Sequence, residues 1–220
     1  IRDSVASRGL GDVYKRQASM YAPSSTTLVN TRRIGSAPDL SNYEDVTFEP
    51  IERGRPSALL GAAKLTGQAG SWRYGVLAAF EDDVKRSGTR DGVDLVVKED
   101  GREYGVVRLL YERTKNGRWS MGYLGTLVRR PQGDALVHGI DTHFLSPSGK
   151  VSVDTQWMLS DVNQLDGFGV LTDISYTPNS QWKHSMQIDY VDKKLNINDF
   201  GFLRRNDNKS VEYKIEHNTT

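Results

Sequence analysis

The sequence predicts an all-β fold, an antiparallel up-and-down meander, and three observations lead to it. Apolar and polar residues alternate with period two in segments of about ten residues, the usual length of a membrane-spanning strand. The links between these segments alternate between short turns and longer polar stretches. Aromatic residues gather at the segment ends. Helical periodicity is almost absent, so neighbouring segments are expected to pair as hairpins.

The alternation is clearest in the C-terminal half of the chain. In 182–190, Trp182, Ile188 and Tyr190 share one face, and a helix would mix Ser185 and Asp189 into that face. A strand therefore explains the pattern better. The predicted strands are 27–34, 57–67, 72–80, 103–113, 119–127, 135–145, 151–160, 167–176 and 182–190.

The links follow a strict alternation in the prediction. Short, turn-rich links are expected at 67–71, 115–118, 146–150 and 178–181. Longer or more polar links are expected at 82–102, 129–134, 161–166 and 192–208. Membrane barrels show such an asymmetry between tight turns on one rim and larger loops on the other.

Strand length and aromatic placement lead to the same architecture. A strand of about ten residues, rising about 3.3 Å per residue and tilted near 40°, spans the apolar band of about 25 Å. Aromatic side chains at both strand ends suit the two interface girdles. They are Trp72, Phe80, Trp119, Phe144, Phe168, Tyr176, Trp182 and Tyr190. The meander is therefore predicted to form part of a transmembrane outer-membrane β-barrel. The alternative is a soluble sandwich with an aromatic core.

Composition excludes several classes of function. The 220 residues include 29 Lys and Arg against 28 Asp and Glu, which gives no electrostatic basis for binding nucleic acid. Cysteine is absent, so no disulfide, thiol nucleophile or thiolate metal site is expected. The mean hydropathy of −0.56 resembles that of a soluble protein. A barrel gives the same average, because its apolar outer face alternates with a polar inner face.

The N-terminal segment is set apart from the fold. Residues 1–17 resemble a translated sequencing adapter of the kind found in metagenomic open reading frames, and are expected to be an artefact. Residues 18–220 are then expected to be the N-terminal portion of an incomplete barrel domain, so that the chain is a fragment.

An ordered set of motifs resembles a known family, the outer-membrane barrel called domain of unknown function family 5916. This domain is found C-terminal to a carbohydrate-binding family 9-like module in bacterial envelope proteins. The resemblance implies a barrel in the outer membrane of a Gram-negative bacterium, with outer-membrane lipid as partner and polysaccharide bound through an upstream module. The motifs are 31–35, 61–67 with Trp72 and Gly75, 107–109, 139–141 and 200–207.

Within these motifs, one set of residues is singled out without an assigned role. Because the family's motifs carry no catalytic residues, none are transferred, and the chain is expected to use no cofactor and not to be an enzyme. The singled-out residues are Arg32, Arg33, Gly35, Gly61, Lys64, Gly67, Arg108, Asp141, Arg204, Arg205 and Asp207.

A few residues could carry chemistry independently of the family. Asp141 and His143 lie two apart on one strand face and could pair as base and orienting group, although a solvated pair is the simpler interpretation. The oxygen-rich loop 192–208 could hold Ca²⁺ but lacks the spacing of an EF-hand. Arginine pairs at 32–33, 129–130 and 204–205 could bind lipopolysaccharide phosphates or be solvated loop residues.

Two hypotheses remain, with different structural consequences. A barrel whose polar lumen serves transport or anchoring requires Arg108 and Asp141 to point inward, away from lipid. A soluble all-β carbohydrate-binding module would instead show two packed sheets with Greek-key crossings. An enzyme in the barrel would need a Ser/His/acid or paired-acid arrangement, and the sequence offers no constrained candidate.

Overall fold

A computed structural model describes residues 26–218 of the chain, and residues 1–17, the predicted artefact, lie outside it. Nearly all regular structure in the described part is antiparallel β-sheet. The strands are β1 (Thr47–Phe48), β2 (Leu59–Ala69), β3 (Trp72–Glu81), β4 (Val84–Arg90), β5 (Val93–Glu99), β6 (Glu103–Arg113), β7 (Arg118–Arg129), β8 (Ala135–Leu145), β9 (Val151–Val162), β10 (Leu165–Tyr176), β11 (Trp182–Val191) and β12 (Asn208–His217). The remaining elements are a short helix α1 (Pro50–Gly54) and 3₁₀ turns at Thr31–Arg33 and Ser41–Tyr43.

Nine strands form one sheet that follows chain order, apart from one insertion. Its order is β12-β11-β10-β9-β8-β7-β6-β3-β2, every neighbouring pair antiparallel. The all-β meander is therefore confirmed. Within residues 26–218 the sheet is open, with β2 and β12 at its edges, so closure into a barrel is not seen.

The link 82–102 differs from the prediction. Instead of an irregular loop it forms the hairpin β4–β5, which joins β1 in a separate three-stranded sheet with its own small core of Val46, Phe48 and Val97. The cause is the turn Asp91-Gly92, where both residues have positive φ, 51° and 79°. Such a pair matches the twist of a two-residue hairpin.

Two further predictions were wrong. The expected strand 27–34 is a single bridge from Thr27 to Phe202 followed by a 3₁₀ turn, because the Asn30 side chain accepts a hydrogen bond from the Arg32 amide and caps that turn. The expected long link 161–166 is a two-residue turn at Asn163 and Gln164, both with positive φ. Link lengths therefore do not alternate strictly.

The links at one rim of the sheet still differ in size from those at the other. The rim reached by the β2–β3, β6–β7, β8–β9 and β10–β11 links, here called the turn rim, carries only short turns. The opposite rim, here called the loop rim, carries the β4–β5 insertion and the long segment between β11 and β12. The main core lies there, between the sheet and two segments packed on its inner face.

Candidate functional site

The two faces of the nine-stranded sheet differ sharply in chemistry. On the outer face, uncharged residues occupy the central positions of every strand, and many large apolar side chains there are 37–69% exposed. Charged residues of this face stand only at strand ends. They are Glu103, Arg113, Arg129, Asp161, Asp166 and Lys209. The outer face is thus a band of uncharged and mainly apolar side chains across the sheet, here called the apolar band.

Aromatic side chains border this band. At the turn rim the Tyr111 ring lies 5.0 Å from Trp72 and 5.8 Å from Trp119, measured between ring centroids. Phe144, Tyr176 and Trp182 continue the series on later strands. Near the loop rim, Phe168 and Tyr190 lie 6.1 Å apart. Aromatic rings in these positions are typical of interface girdles.

All four tryptophans of the chain belong to the outer face. Trp72, Trp119 and Trp182 stand at the turn rim, each in the first or second position of its strand. Trp157 lies in the middle of β9, opposite Ile140 and Val170. Their exposed fractions are 37–47%. The four residues therefore sample two depths of the same surface.

The inner face carries the charges, and its central feature is a buried ion pair. The Arg108 guanidinium donates to both Asp141 oxygens, at 2.8 and 3.1 Å, and its side chain is 4% exposed. The expectation that these two residues point away from the apolar face is confirmed. They belong to β6 and β8, with β7 between them, and Gly122 of β7 leaves the space through which Arg108 reaches.

Further polar groups line the inner face toward the turn rim. Glu112 forms ion pairs with Arg73, at 2.7 Å, and with Arg118, at 2.5 Å. A row of directly opposite residues crosses five strands. It consists of His143, Asp154, Asp173, Gln187 and Glu212. This half of the inner face is polar, as a hydrated lumen would be.

Toward the loop rim the inner face is covered by an apolar layer, here called the inner layer, made of segments 27–36 and 195–203. The segments join through the Thr27–Phe202 bridge and a 2.6 Å hydrogen bond from the Asn30 amide to the Phe200 carbonyl. The side chains of Leu28, Leu195, Ile197 and Phe200 are 1% exposed. The sheet and this layer together form the main core.

A buried carboxylate fixes the N-terminal segment of this layer. Glu81, whose side chain is 1% exposed, accepts from the Gly35 amide and the Arg102 Nε, both at 2.7 Å. Arg102 also donates to the Ser36 carbonyl at 2.6 Å. Gly35 has φ of 75°, a conformation that favours glycine. The Glu81–Arg102 ion pair therefore holds the turn of the chain at Gly35 in place.

A small cavity of about 70 Å³ opens beside this anchor. Its wall includes Glu99, 7% exposed, which accepts a 3.3 Å hydrogen bond from the Gln132 amide. Burial, together with the nearby charge of Asp39, raises the pKa of Glu99 above its usual value. Burial likewise raises the pKa of its partner Tyr43. The cavity can hold water or a small polar group, and its acidic wall is stabilised when Glu99 is protonated.

The residues singled out by the sequence motifs do not converge on one site. Gly67 lies under the Tyr74 ring, where a Cβ would sit 2.3 Å from the hydroxyl oxygen. Gly61 lies at a register irregularity of β2, and Lys64 is exposed on the same strand. Arg32 and Arg33 form the 3₁₀ turn. Arg204, Arg205 and Asp207 are exposed in the β11–β12 link.

Other sequence candidates have separate partners. Asp141 binds Arg108, whereas His143 binds Asp154, so the two do not act on each other in this structure. In the 192–208 loop, Asp199 pairs with Arg130 at 2.8 Å, and the Asn198 side chain accepts from the Leu203 amide. Across residues 26–218, no group of three or more His, Asp or Glu side chains could hold a metal ion.

Sequence reasoning missed Gly122, Glu81 and Arg102. A glycine within a strand indicates by itself only a bend or the close approach of a neighbouring group. That Gly122 makes room for the long Arg108 side chain depends on which residue of the neighbouring strand lies diagonally across from the glycine. Glu81 and Arg102 stand at the two ends of the 82–102 link, which the pairing of the flanking strands brings together. Nothing in the sequence indicated that Gly35 and Ser36 would join them there.

Comparison with solved structures gives two structures of one outer-membrane protein. The chain is similar to in-vitro folded OmpT, an outer membrane protein of Vibrio cholerae, at 14% identity and a TM-score of 0.44, over 93% of this chain and 70% of that one. The chain is also similar to the outer-membrane expressed form of OmpT, at 14% identity and a TM-score of 0.43, over 93% of this chain and 71% of that one. No curated protein matches the chain. Among the described residues, no helix is long and apolar enough to cross a membrane.

One expectation is corrected at this point. The prediction that the chain is not an enzyme rested on a missing motif, and an absent motif does not exclude catalysis. The expectation that the chain is not an enzyme is therefore not kept.

A family model completes the comparison. The model of a domain of unknown function, DUF5916, matches residues 24–220, which include the whole sheet, the inner layer and the inserted hairpin. The resemblance of the motifs to this family is thereby confirmed. The chain belongs to the DUF5916 family.

Proposed function

We propose that the chain is part of a bacterial outer-membrane β-barrel of a Gram-negative cell, whose sheet faces lipid on its outer side. The observation that carries the proposal is the apolar band, in which charged residues stand only at strand ends across nine strands. A water-exposed sheet of this size would mix charges into its central positions.

The inner face supports a role in anchoring more than in transport. Its polar half would line a lumen, while the inner layer fills the space at the loop rim with buried apolar side chains such as Phe200. A barrel filled at one rim suits a membrane anchor for a surface module that binds polysaccharide. Outer-membrane lipid is then the main partner of the chain.

A soluble carbohydrate-binding module was the alternative. It would use exposed aromatic residues as stacking platforms on a two-sheet sandwich. In the described residues the large sheet instead runs from each strand to the next without a Greek-key crossing, apart from the β4–β5 insertion. The topology therefore favours the barrel.

The four tryptophans give a direct test in reconstituted vesicles. Lipids brominated near the bilayer centre are expected to quench Trp157, and lipids brominated near the headgroups to quench Trp72, Trp119 and Trp182. Trp157→Phe should remove most of the deep quenching, and Trp182→Phe, the matched control, should leave it. Heat-modifiable gel migration and fractionation with outer membranes are expected as well. Recovery of the protein in soluble form without detergent, with no quenching by either lipid, would refute the proposal.

A further inference from the structure

The segment between β11 and β12, together with the second residue of β12, carries a concentration of exposed basic residues, here called the basic patch. It includes two arginines, which suit phosphate better than lysine does, because the planar guanidinium binds two oxygens at once. The nearby carboxylates of this segment are Asp192 and Asp207. The third, Asp199, forms an ion pair with Arg130. Within residues 26–218 no basic-patch residue forms an ion pair. Its members are Lys193, Lys194, Arg204, Arg205 and Lys209.

The basic patch is built on a fixed backbone. Leu195 and Leu203, which adjoin Lys194 and Arg204, are buried at 1% and 8% exposure in the main core. The Asn206 side chain donates a 2.7 Å hydrogen bond to the Lys193 carbonyl and so joins the two ends of the segment. The charged side chains therefore project from a rigid base, which reduces the entropy lost when they bind.

The patch adjoins the apolar band at the loop rim. The Lys209 ammonium lies 5.3 Å from the centroid of the Tyr190 ring, and Lys209 and Tyr190 are directly opposite on the outer face. Tyr190 and Phe168 belong to the aromatic border of the apolar band at this rim. From the sheet outward, the apolar band, the aromatic rings and the basic residues follow one another. A bilayer has the same order of acyl chains, interface and phosphate groups.

We propose that the basic patch binds the phosphate groups of anionic lipids in the leaflet that meets the loop rim. The inference rests on the proposed membrane function, since it takes the outer face to be in lipid. Continuity with the apolar band selects a lipid over a soluble phosphate compound. The patch then fixes the height of the loop rim at the headgroup level and enriches anionic lipid around β11 and β12.

A label at Val211 tests the proposal. Val211 lies on the outer face of β12, two residues from Lys209, and is 68% exposed. Because the chain contains no cysteine, Val211→Cys gives a unique attachment site. The labelled chain is reconstituted in phosphatidylcholine vesicles containing a minor fraction of brominated phosphatidylglycerol or brominated phosphatidylcholine. Label quenching reports which lipid lies beside the patch. At about fivefold for each basic residue near a membrane surface, the anionic lipid should be enriched at least fivefold.

Charge-neutralised variants identify the residues responsible. Arg204→Gln with Arg205→Gln should lower the enrichment severalfold, and replacement of all five basic-patch residues by Gln should bring it close to onefold. Lys115→Gln with Lys150→Gln, which removes two exposed charges at the turn rim, should leave it unchanged. Inorganic phosphate, added at constant ionic strength, should not reduce the enrichment.

The other outcomes overturn the proposal. Equal quenching by the two lipids, or equal loss in both double variants, excludes a lipid site at the basic patch. Abolition of the enrichment by inorganic phosphate would indicate a site for soluble phosphate instead. If deep quenching of Trp157 persists in any of these cases, the membrane function stands and only the lipid site fails. Loss of deep quenching as well refutes both.

Discussion

Arg108 reaches across an intervening strand to Asp141, and it does so over Gly122, whose absent side chain leaves the path open. A Cβ at Gly122 would lie 2.2 Å from the Arg108 Nη1. The ion pair is buried beneath the sheet, so the guanidinium has little room to move aside. The ion pair therefore requires glycine at position 122 as well as the two charged residues.

Gly122→Ala should destabilise the fold by displacing the guanidinium from Asp141. Breaking a buried pair costs about 3–5 kcal/mol, and the substitution should approach the lower end of that range. Denaturant unfolding of the reconstituted protein, followed by tryptophan fluorescence, measures the change. Gly105→Ala on β6 is the control, because its nearest neighbouring atom would be 3.9 Å away. In an Arg108→Ala background the effect of Gly122→Ala should largely vanish, and equal effects in both backgrounds would contradict the mechanism.

Two phenylalanines of the β11–β12 segment should differ strongly in their response to truncation. Phe200 is 1% exposed and its ring lies 5.0 Å from Tyr104, so Phe200→Ala should cost about 3–5 kcal/mol. Phe202 is 39% exposed, and Phe202→Ala should change stability by only about 0.5 kcal/mol. Unfolding free energies distinguish the two. Similar losses in both variants would show that the inner layer does not pack as described.

Much of the large sheet could be predicted from alternation alone. The strands β3 and β6–β11 follow the predicted ranges because each has one apolar face, which fixes the register of its side chains. The predicted strands do not include β12, although a strand-like pattern precedes Asn218. The hairpin β4–β5 was also missed, although Asp91-Gly92 is a strong two-residue turn signal, because the charged 82–102 segment was taken as a loop. Asn163-Gln164 gave little signal, since Gln rarely adopts positive φ.

Less of the candidate site could be predicted. The inward direction of Arg108 and Asp141 followed from the alternation, but their pairing depends on the register of three strands and on Gly122. The inner layer was beyond prediction for another reason. Leu195, Ile197, Phe200 and Leu203 show no strand or helix period, because an irregular segment buries whichever side chains its backbone turns inward.

Two motif glycines on β2 should give effects of opposite sign. Gly67→Ala would place a Cβ 2.3 Å from the Tyr74 hydroxyl and force that exposed ring aside, at about 1 kcal/mol. A Cβ at Gly61 would have no other atom within 4 Å, so Gly61→Ala should stabilise by about 0.5–1 kcal/mol. In a Tyr74→Ala background the penalty at Gly67 should disappear. Unfolding free energies of the four variants test this, and the same sign at both glycines would contradict it.

The acidic wall of the small cavity should make the loop rim sensitive to pH. Because burial raises the pKa of Glu99 in the folded state, the folded protein holds this proton at pH values where the unfolded chain has lost it. The stabilisation is complete below the ordinary glutamate pKa and is lost as the pH rises through the raised value. Protection of the β4–β5 amides from hydrogen exchange, corrected for the intrinsic rate, should therefore decrease over that window. Glu99→Gln keeps an acceptor for Gln132 and should abolish the decrease, whereas the exposed Asp94→Asn on the same strand should retain it. A wild-type slope that survives Glu99→Gln would assign the pH dependence to another group.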